Sequence, residues 1–439
     1  MESIFTPLIA EGLTTLRVRY NFKTGEFRYF AARDFEPEQD FSRYNKDFGL
    51  NSILTRGNRY MGTIATREML VNYGLSEYLD NAFGLVEAGR HMGMDFIIHE
   101  RLNIRVICGI HIDKRGWNNK SYTTFAGATR RHGPEVPEIK VIMDALNLSR
   151  AMTFKNIAVD LPYGGCKTCL HMEPLDITDM EAMGFLAYAC DTTHCITGPD
   201  MSLPKEMVKV MNEHFTMQYC GGPGSRMGDT AVPTALGAYL ALKEAVRFKT
   251  GSNNLAGMTV AVQGLGAVGY SMAENLLSEN ARIIVADIDN KKIERLLAAY
   301  PNYEIKVADT SNIIFEEADI LCPCAMGGII GEEEIPKLNV KYIFGPANNQ
   351  LRATNQDEEI RLAKSLDARG ILFQTEWWHN GAGVLGAAME YIQETRENLE
   401  KRVREIIPAR TWENLNRAKE LGITPTEAAY LRCQDEIYK

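Results

Sequence analysis

Three features of the 439-residue sequence predict an α/β chain of two domains. The apolar run Val260-Ala261-Val262 leads into a glycine-rich turn and a helical stretch, Tyr270 to Leu277. Strand-like runs then recur at 283–285, 320–322 and 342–344 with helical segments between them, as in βαβ units. Upstream of about residue 225 the texture differs, with Phe96-Ile97-Ile98 and the run Arg105 to Ile110 reading as paired strands around a polar turn. The break Gly221-Gly222-Pro223-Gly224-Ser225 separates the two textures.

Composition bounds the function. A hydrophobic fraction of 45% supplies ample core, and 24% charged residues is ordinary globular usage. The net charge of −9 gives no electrostatic case for nucleic acid or an anionic membrane. No stretch reaches the roughly 18 apolar residues of a membrane helix, and the N-terminus lacks a basic and then apolar leader. Nine scattered cysteines point to reduced thiols and a cytoplasmic location.

Residues 13–32 read as a β-hairpin, with Leu16, Val18, Tyr20 and Phe22 on one face and a turn at Thr24-Gly25. Residues 35–52 are polar and irregular, and 65–92 carry helical periodicity up to Gly93. A loop rich in Gly, Asn and basic residues follows Ile110. Residues 136–155 read as a helix and Ile157-Ala158-Val159 as a short buried strand. Helices are expected over about 178–193 and 205–217, then from Thr234 to Phe248, and over most of the chain after 375.

Gly264-Leu265-Gly266-Ala267-Val268-Gly269 sits between a strand and a helix, the context a dinucleotide fingerprint requires. Gly264 permits the tight turn and Gly266 lets backbone approach a pyrophosphate. Gly269 lets helix and strand pack, and the helix start offers free N–H groups to the anion. Asp287 ends the second strand, close to the roughly 20-residue spacing of a ribose-binding acid. With Asp289 nearby and no arginine within five residues, a 2′-phosphate is disfavoured and the expected cofactor is NAD, on a Rossmann-type domain.

Lys155 in Met152-Thr153-Phe154-Lys155 and Lys167 in Gly164-Gly165-Cys166-Lys167 form a second constellation. In isolation they read as surface lysines flanking a turn, but the glycine pair argues for close approach of backbone or ligand. A substrate carboxylate needs a cation. A lysine partly desolvated beside a second cation has a lowered pKa and can serve as a base. Asp200, in Thr197-Gly198-Pro199-Asp200, can shuttle protons or cap the next helix.

Here the sequence resembles the glutamate, leucine, phenylalanine and valine dehydrogenases over about residues 96–390. The resemblance also covers Pro233-Thr234-Ala235-Leu236-Gly237, Pro323-Cys324-Ala325-Met326-Gly327-Gly328, Ala347-Asn348-Asn349-Gln350-Leu351 and Asn380-Gly381-Ala382-Gly383. It implies reversible oxidative deamination of an L-amino acid to a 2-oxo acid and ammonium. Lys167 is then the catalytic lysine, Asp200 the proton shuttle and Lys155 the α-carboxylate ligand. Met152, Ala126, Gly127, Gly198, Asn380, Val384 and Ala387 line the substrate site. Thr234, Ala325, Asn348 and Asn380 join Gly264, Gly266, Ala267, Val268, Gly269 and Asp287 around NAD. The implied domains are a substrate-binding and oligomerisation domain over 96–228 and the NAD domain over 229–375. Helices over 376–439 return to the first domain, and 1–95 form an extension matched to nothing, a candidate oligomer interface or cover.

Glutamate-specific members share a lysine at the place of Ala126, within Phe125-Ala126-Gly127-Ala128-Thr129-Arg130. Without that cation a side-chain carboxylate would be buried unpaired. Leucine-type members carry larger groups at the places of Gly198 and Ala387. Glycine and alanine there imply room for a bulky apolar substrate, and glutamate and aspartate are expected to be poor substrates unless Arg130 turns inward. Cys166/Cys169 and Cys322/Cys324 have no partner pair at zinc-finger spacing, so no metal is expected. His379 is expected to be a packed residue. Two alternatives stand beside this reading: a dinucleotide-binding regulatory protein that kept the fold, and a dehydrogenase of an unusual amine or amino acid. A homo-oligomer with a small-molecule substrate is expected.

Overall fold

Strands buried on both faces read as unbroken apolar runs, and Phe96-Ile97-Ile98 is such a case. The computed structural model describes residues 3–44, 59–112, 124–222 and 224–438. The basic loop expected after Ile110 and part of the irregular 35–52 stretch lie outside them. Two units divide the chain: Met1–Asn156, Pro162–Asp229 and Ala387–Glu394 form one, and Ile157–Leu161, Thr230–Gly386 and Thr395–Lys439 the other.

The first unit is a mixed sheet. Its strands are β1 (Thr15–Asn21), β2 (Glu26–Ala32), β3 (Tyr60–Met61), β4 (Gly93–His99), β5 (Ile104–Ile110), β6 (Phe125–Ala126), β7 (Thr129–His132), β8 (Gly164–His171) and β9 (Cys195–Ile196). Their order is β3-β2-β1-β4-β5-β8-β6-β9, with β7 also paired to β8. Pairing is antiparallel as far as β8, and parallel where β6 joins β8 and β9 and where β7 joins β8.

Helices α1 (Phe5–Ala10), α2 (Thr63–Asn72), α3 (Ser76–Ala88) and α4 (Glu138–Ala158) cover one face. There Phe96, Ile98, Ile107 and Cys169 pack with Phe5, Leu8, Leu70, Phe83 and Val141. Helices α5 (Met180–Thr192) and α6 (Met207–His214) cover the other, where Ile97, Val106, Cys108 and Leu170 meet Phe41, Phe185 and Met211. Successive residues of one strand thus enter opposite cores, as the two-residue strand period requires.

The second unit is a parallel sheet of β10 (Thr259–Gln263), β11 (Arg282–Ala286), β12 (Ile305–Val307), β13 (Ile320–Pro323), β14 (Tyr342–Ile343) and β15 (Leu372–Phe373). Its order, β12-β11-β10-β13-β14-β15, is the doubly wound arrangement of a Rossmann domain. Its helices are α7 (Ala231–Thr250), α8 (Ala267–Ser278), α9 (Asn290–Ala299), α10 (Gln356–Ala368), α11 (Ala382–Tyr391, whose last turns belong to the first unit), α12 (Arg396–Leu421) and α13 (Pro425–Tyr438).

Several expectations change. Ile157 and Ala158 end α4 instead of forming a strand, because a three-residue apolar run cannot outweigh the helix already running through it. Gly164-Gly165 opens β8 rather than a turn, and Lys167 lies inside that strand. The described residues before 96 are integral to the first unit, since β1 pairs with β4 in the register Leu16↔Phe96. Leu16, Val18 and Tyr20 are buried with residues of α1 and α3, so the hairpin needs no partner subunit to cover it. Of the C-terminal region only Ala387–Glu394 joins the first unit. Helix α12 packs instead along α7, where Trp412 meets Phe248 and carries the Arg247 guanidinium 4.5 Å above its ring. Cys166 and Cys195 form a disulfide, against the expectation of reduced thiols throughout, while the other seven cysteines are free. The pair is 29 residues apart and meets only because β8 and β9 flank β6. Among the described residues no helix is long and apolar enough to cross a membrane.

A buried histidine pair makes stability depend on pH. His91 and His111 stack edge to face at 4.9 Å, with His91 Nε2 2.8 Å from the Leu146 carbonyl and His111 Nδ1 2.8 Å from Thr153 Oγ1. Burial pulls His91 down to about 4 and His111 well below its ordinary value. Below pH ~6.5 the unfolded chain therefore takes up protons that the native state excludes. The urea midpoint is expected to fall as pH drops from 6.5 toward 4, and less steeply in His91→Gln. Equal slopes in the two proteins would remove His91 from the account.

Candidate active site

The geometry starts from the contact of α4 with the sheet. A Cβ on Gly165 would lie 2.0 Å from Ser149 O, and one on Gly109 would lie 2.6 Å from Ala145 O. Glycine at both places lets the helix backbone settle on β5 and β8. Thr153 Oγ1 accepts the Gly165 N–H at 2.9 Å, and Asn156 Nδ2 donates to Gly164 O at 3.0 Å and to Ala126 O at 3.4 Å. The backbone alternative raised by the glycine pair is therefore the one realised. Half-buried Met152 and Lys155 sit on this pinned segment of α4.

Lys167, 3% exposed, places Nζ 2.5 Å from Asp200 Oδ2. Asp200 is held by its own N–H, which donates to Thr129 O at 2.8 Å. Burial pulls the Lys167 ammonium down, Asp200 resists that, and the nearby Arg130 charge adds to it. Burial alone would raise Asp200, but Lys167 and Arg130 overcome it and hold the carboxyl at about 2. The pair is thus charged at rest, with a lysine that gives up its proton more readily than a free one.

Arg130 does not turn toward a substrate side chain. Its Nε and one terminal nitrogen bind Asp200 Oδ2 at 3.1 and 2.8 Å, and the other terminal nitrogen binds both oxygens of Asp144 at 3.2 and 3.0 Å. His132 Nε2 lies 2.9 Å from Asp144 Oδ2. Sequence reasoning missed Asp144 and His132, because nothing in the spacing of residues 130, 132, 144 and 200 announces one cluster. His132, Asp144 and Cys169 also offer ligand atoms within 4.8 Å of one another. The Arg130 guanidinium already occupies both Asp144 oxygens, so a cation would have to displace a cation.

The room expected at Gly198 is not there. A Cβ would lie 2.4 Å from Cys220 O, and one on Gly127 would lie 1.9 Å from Cys166 O. These glycines serve close chain packing rather than pocket volume. Ala126 is buried on β6 and brings no charge. Ala387 is half-buried in the part of α11 that belongs with the first unit, where Glu390 accepts the Gly221 N–H at 3.1 Å.

In the second unit the glycine loop suits a pyrophosphate. Gly264 has φ +94° and Gly269 packs against Gly264 O, whereas a Cβ on Gly266 would meet nothing within 4 Å. No side chain caps α8, so its first N–H groups, from the exposed Ala267 and half-buried Val268 onward, face open space. Ala325 seals the far side of Gly264, its Cβ lying 2.5 Å from where a Gly264 Cβ would be. Asp287 accepts the Leu265 N–H at 2.7 Å and the Asp289 N–H at 2.9 Å, and pairs with Lys292 at 3.2 Å. That lysine offsets the negative charge expected to disfavour a 2′-phosphate.

Asn380 Nδ2 donates to Asn348 Oδ1 at 2.8 Å and to Pro346 O at 3.1 Å, while its buried Oδ1 has no partner among the described residues. An orphaned buried amide oxygen is what a ligand N–H would satisfy. Thr234 Oγ1 donates to Thr230 O and lies 3.0 Å from where a Gly383 Cβ would be, with half-buried Val384 next in α11. Glu376, missed in the sequence, is buried and accepts the Asn349 N–H at 2.6 Å. His379 is packed, stacked on Phe344 at 5.2 Å.

The sheet order and the open glycine loop make the second unit a dinucleotide-binding domain. Residues 110–219 match the model of the Glu/Leu/Phe/Val dehydrogenase dimerisation domain, and 259–328 that of the NAD binding domain of 6-phosphogluconate dehydrogenase. L-tryptophan dehydrogenase of Nostoc punctiforme is 31% identical over 80% of this chain and 96% of its own. Phenylalanine dehydrogenase of Lysinibacillus sphaericus is 33% identical over 71% and 81%. The crystal structure of the Nostoc punctiforme enzyme superposes with a TM-score of 0.69 at 28% identity, covering 81% of this chain and 98% of that one. The chain belongs to the Glu/Leu/Phe/Val dehydrogenase family and is an NAD-dependent amino acid dehydrogenase.

Gly198→Ala is expected to lower stability by about 1–3 kcal/mol, as overpacking against backbone does, and to depress turnover by moving Asp200. Thermal melts and kinetics check this. An unchanged melt with a narrowed substrate range would restore the pocket reading.

Proposed function

We propose that the chain catalyses reversible oxidative deamination of a bulky apolar L-amino acid, with water entering and a 2-oxo acid and ammonium leaving. The pairing of buried Lys167 with Asp200 carries this reading. A binding protein gains nothing from a desolvated lysine, whereas a base near neutrality needs one. NAD, when bound, accepts the hydride from Cα. Gly264, Gly266, Ala267, Val268 and Gly269 would hold its pyrophosphate and Asp287 its ribose. Ile288, 93% exposed, would offer adenine an apolar surface. Thr234, Ala325, Asn348 and Asn380 would set the nicotinamide end, the orphaned Asn380 Oδ1 accepting an N–H.

Lys155 pairs with the α-carboxylate. Lys167, as free amine, takes a proton from the water that attacks the imino acid, and Asp200 carries protons as ammonia departs. Met152 and Ala387, both of the first unit, would lie beside the rest of the substrate. The apolar preference rests on charge: Ala126 brings none, and Arg130 is consumed by two carboxylates. Relatives named for tryptophan and phenylalanine support a bulky side chain. A homo-oligomer is the proposed state, supported by the match to a dimerisation domain. The cytoplasm is the proposed compartment, supported by the seven free thiols.

NADH consumption with ammonium and a graded panel of 2-oxo acids tests the substrate. Aromatic and branched 2-oxo acids are expected to give the highest kcat/KM, and a maximum at 2-oxoglutarate or pyruvate would overturn the reading. Lys167→Ala is expected to bind NADH normally in a fluorescence titration and to lose about 10²–10⁴ in rate. Undiminished turnover would reassign the base.

A further inference from the structure

We propose that Arg130 is a positioning residue for the reaction: held by Asp144, its guanidinium pins Oδ2 of Asp200 and leaves Oδ1 as the oxygen that carries the proton. The proposal rests on the reading of Lys167 and Asp200 as the reacting groups and assigns the rest of their cluster.

The geometry is specific. Lys167 Nζ and two nitrogens of Arg130 converge on the same oxygen, Asp200 Oδ2, at 2.5, 3.1 and 2.8 Å. Asp200 Oδ1 has no hydrogen bond among the described residues, and the side chain is 36% exposed. Two cations on Oδ2 make it the less basic oxygen, so a proton arriving at Asp200 goes to Oδ1. The guanidinium can do this because its third nitrogen is anchored on Asp144 from α4, and its planar fork fixes the angle between the two carboxylates. A lysine at 130 would carry the charge without the fork.

The groups around Lys167 are Asp200 from the loop after β9, Arg130 from β7 and Cys169 from its own strand. Helix α4 carries Asp144 and Lys155, and His132 faces Asp144. The two cations Lys167 and Arg130 face the two carboxylates Asp144 and Asp200. Removing Arg130 leaves one cation among two anions, which makes Lys167 keep its proton. Removing the Asp144 charge does the opposite. Burial and Arg130 both already act to lower the Lys167 ammonium.

The test is steady-state deamination kinetics across pH on the full-length protein, with Arg130→Met, Arg130→Lys, Asp144→Asn and Lys167→Ala. Arg130→Met is expected to lose about 10²-fold in kcat, the scale of a misplaced reacting group, with KM for the amino acid within about threefold. The acid limb of kcat/KM is expected to move to higher pH in Arg130→Met and to lower pH in Asp144→Asn. Arg130→Lys is expected to restore the limb while kcat stays low. A purely structural role would move neither limb, and if Arg130→Met fails to fold, the shift to lower pH in Asp144→Asn and the low kcat with an unmoved limb in Arg130→Lys still test the proposal. Wild-type kcat with an unmoved limb in the Arg130 variants overturns the proposal, as does a loss confined to KM, which would make Arg130 a substrate ligand. Full turnover in Lys167→Ala would instead overturn the reading beneath it, whatever the Arg130 variants show.

Discussion

The arrangement of the first unit depends on one contact, the approach of α4 to β8 at a distance only glycine permits. Side chains at 109 or 165 would hold the helix off the sheet by the width of a methyl group at least. Because the helix lies so close, Thr153 on α4 can accept the Gly165 N–H. The same hydroxyl lies 2.8 Å from the His111 ring and so ties a second strand end to the helix. Lys155 follows two residues after Thr153, and Lys167 two residues after Gly165. Both lysines therefore take their positions from one backbone contact rather than from their own packing.

That contact brings charges into a partly buried place, where an isolated lysine would simply lose its proton. The structure compensates by supplying Asp200 to Lys167, Arg130 to Asp200 and Asp144 to Arg130, each link within hydrogen-bond distance. Lys167 is the dry member at 4% exposed, whereas its partner Asp200 is 36% exposed and Asp144 26%. Water therefore reaches the carboxylates while the lysine stays desolvated. Burial and the Arg130 charge lower the Lys167 ammonium and Asp200 opposes them, so the lysine is destabilised as a cation without being left unpaired.

Local patterns made much of this legible. The glycine fingerprint, the βαβ spacing and the runs at 96–98 and 259–262 each need only a short window of sequence, and each element stands where the pattern put it. What escaped was set by distant pairing. Gly198 read as pocket space because a missing side chain cannot say which way it would have pointed, and it would have pointed at Cys220. The Cys166–Cys195 bond and the Arg130–Asp144–Asp200 chain depend on strand order, which periodicity does not encode. The first 95 residues looked like an addition because no motif marks them, yet β1 continues the same ladder as β4. A hydrophobic strand edge is completed by whatever segment has the matching alternation, and a motif is not needed for that.

Asp287 shows how a correct local reading can still misjudge strength. The sequence offers an acid at the end of the second strand with another acid two residues on, a doubly negative place. In the fold, however, Asp289 spends its carboxylate on the N-terminus of α9, where it accepts the Lys291 N–H. Asp287 is drawn inward, 6% exposed, onto the N–H groups of Leu265 and Asp289, and Lys292 pairs with it. A carboxylate has about four acceptor positions; the two backbone N–H groups take one on each oxygen, and the Lys292 ammonium reaches both oxygens, at 3.2 and 3.5 Å. The bond to the Leu265 N–H fixes the glycine loop to the end of β11, so the acid shapes that loop as well as ending the strand. The negative charge that the sequence offers at this place is therefore offset in the fold by the Lys292 ammonium.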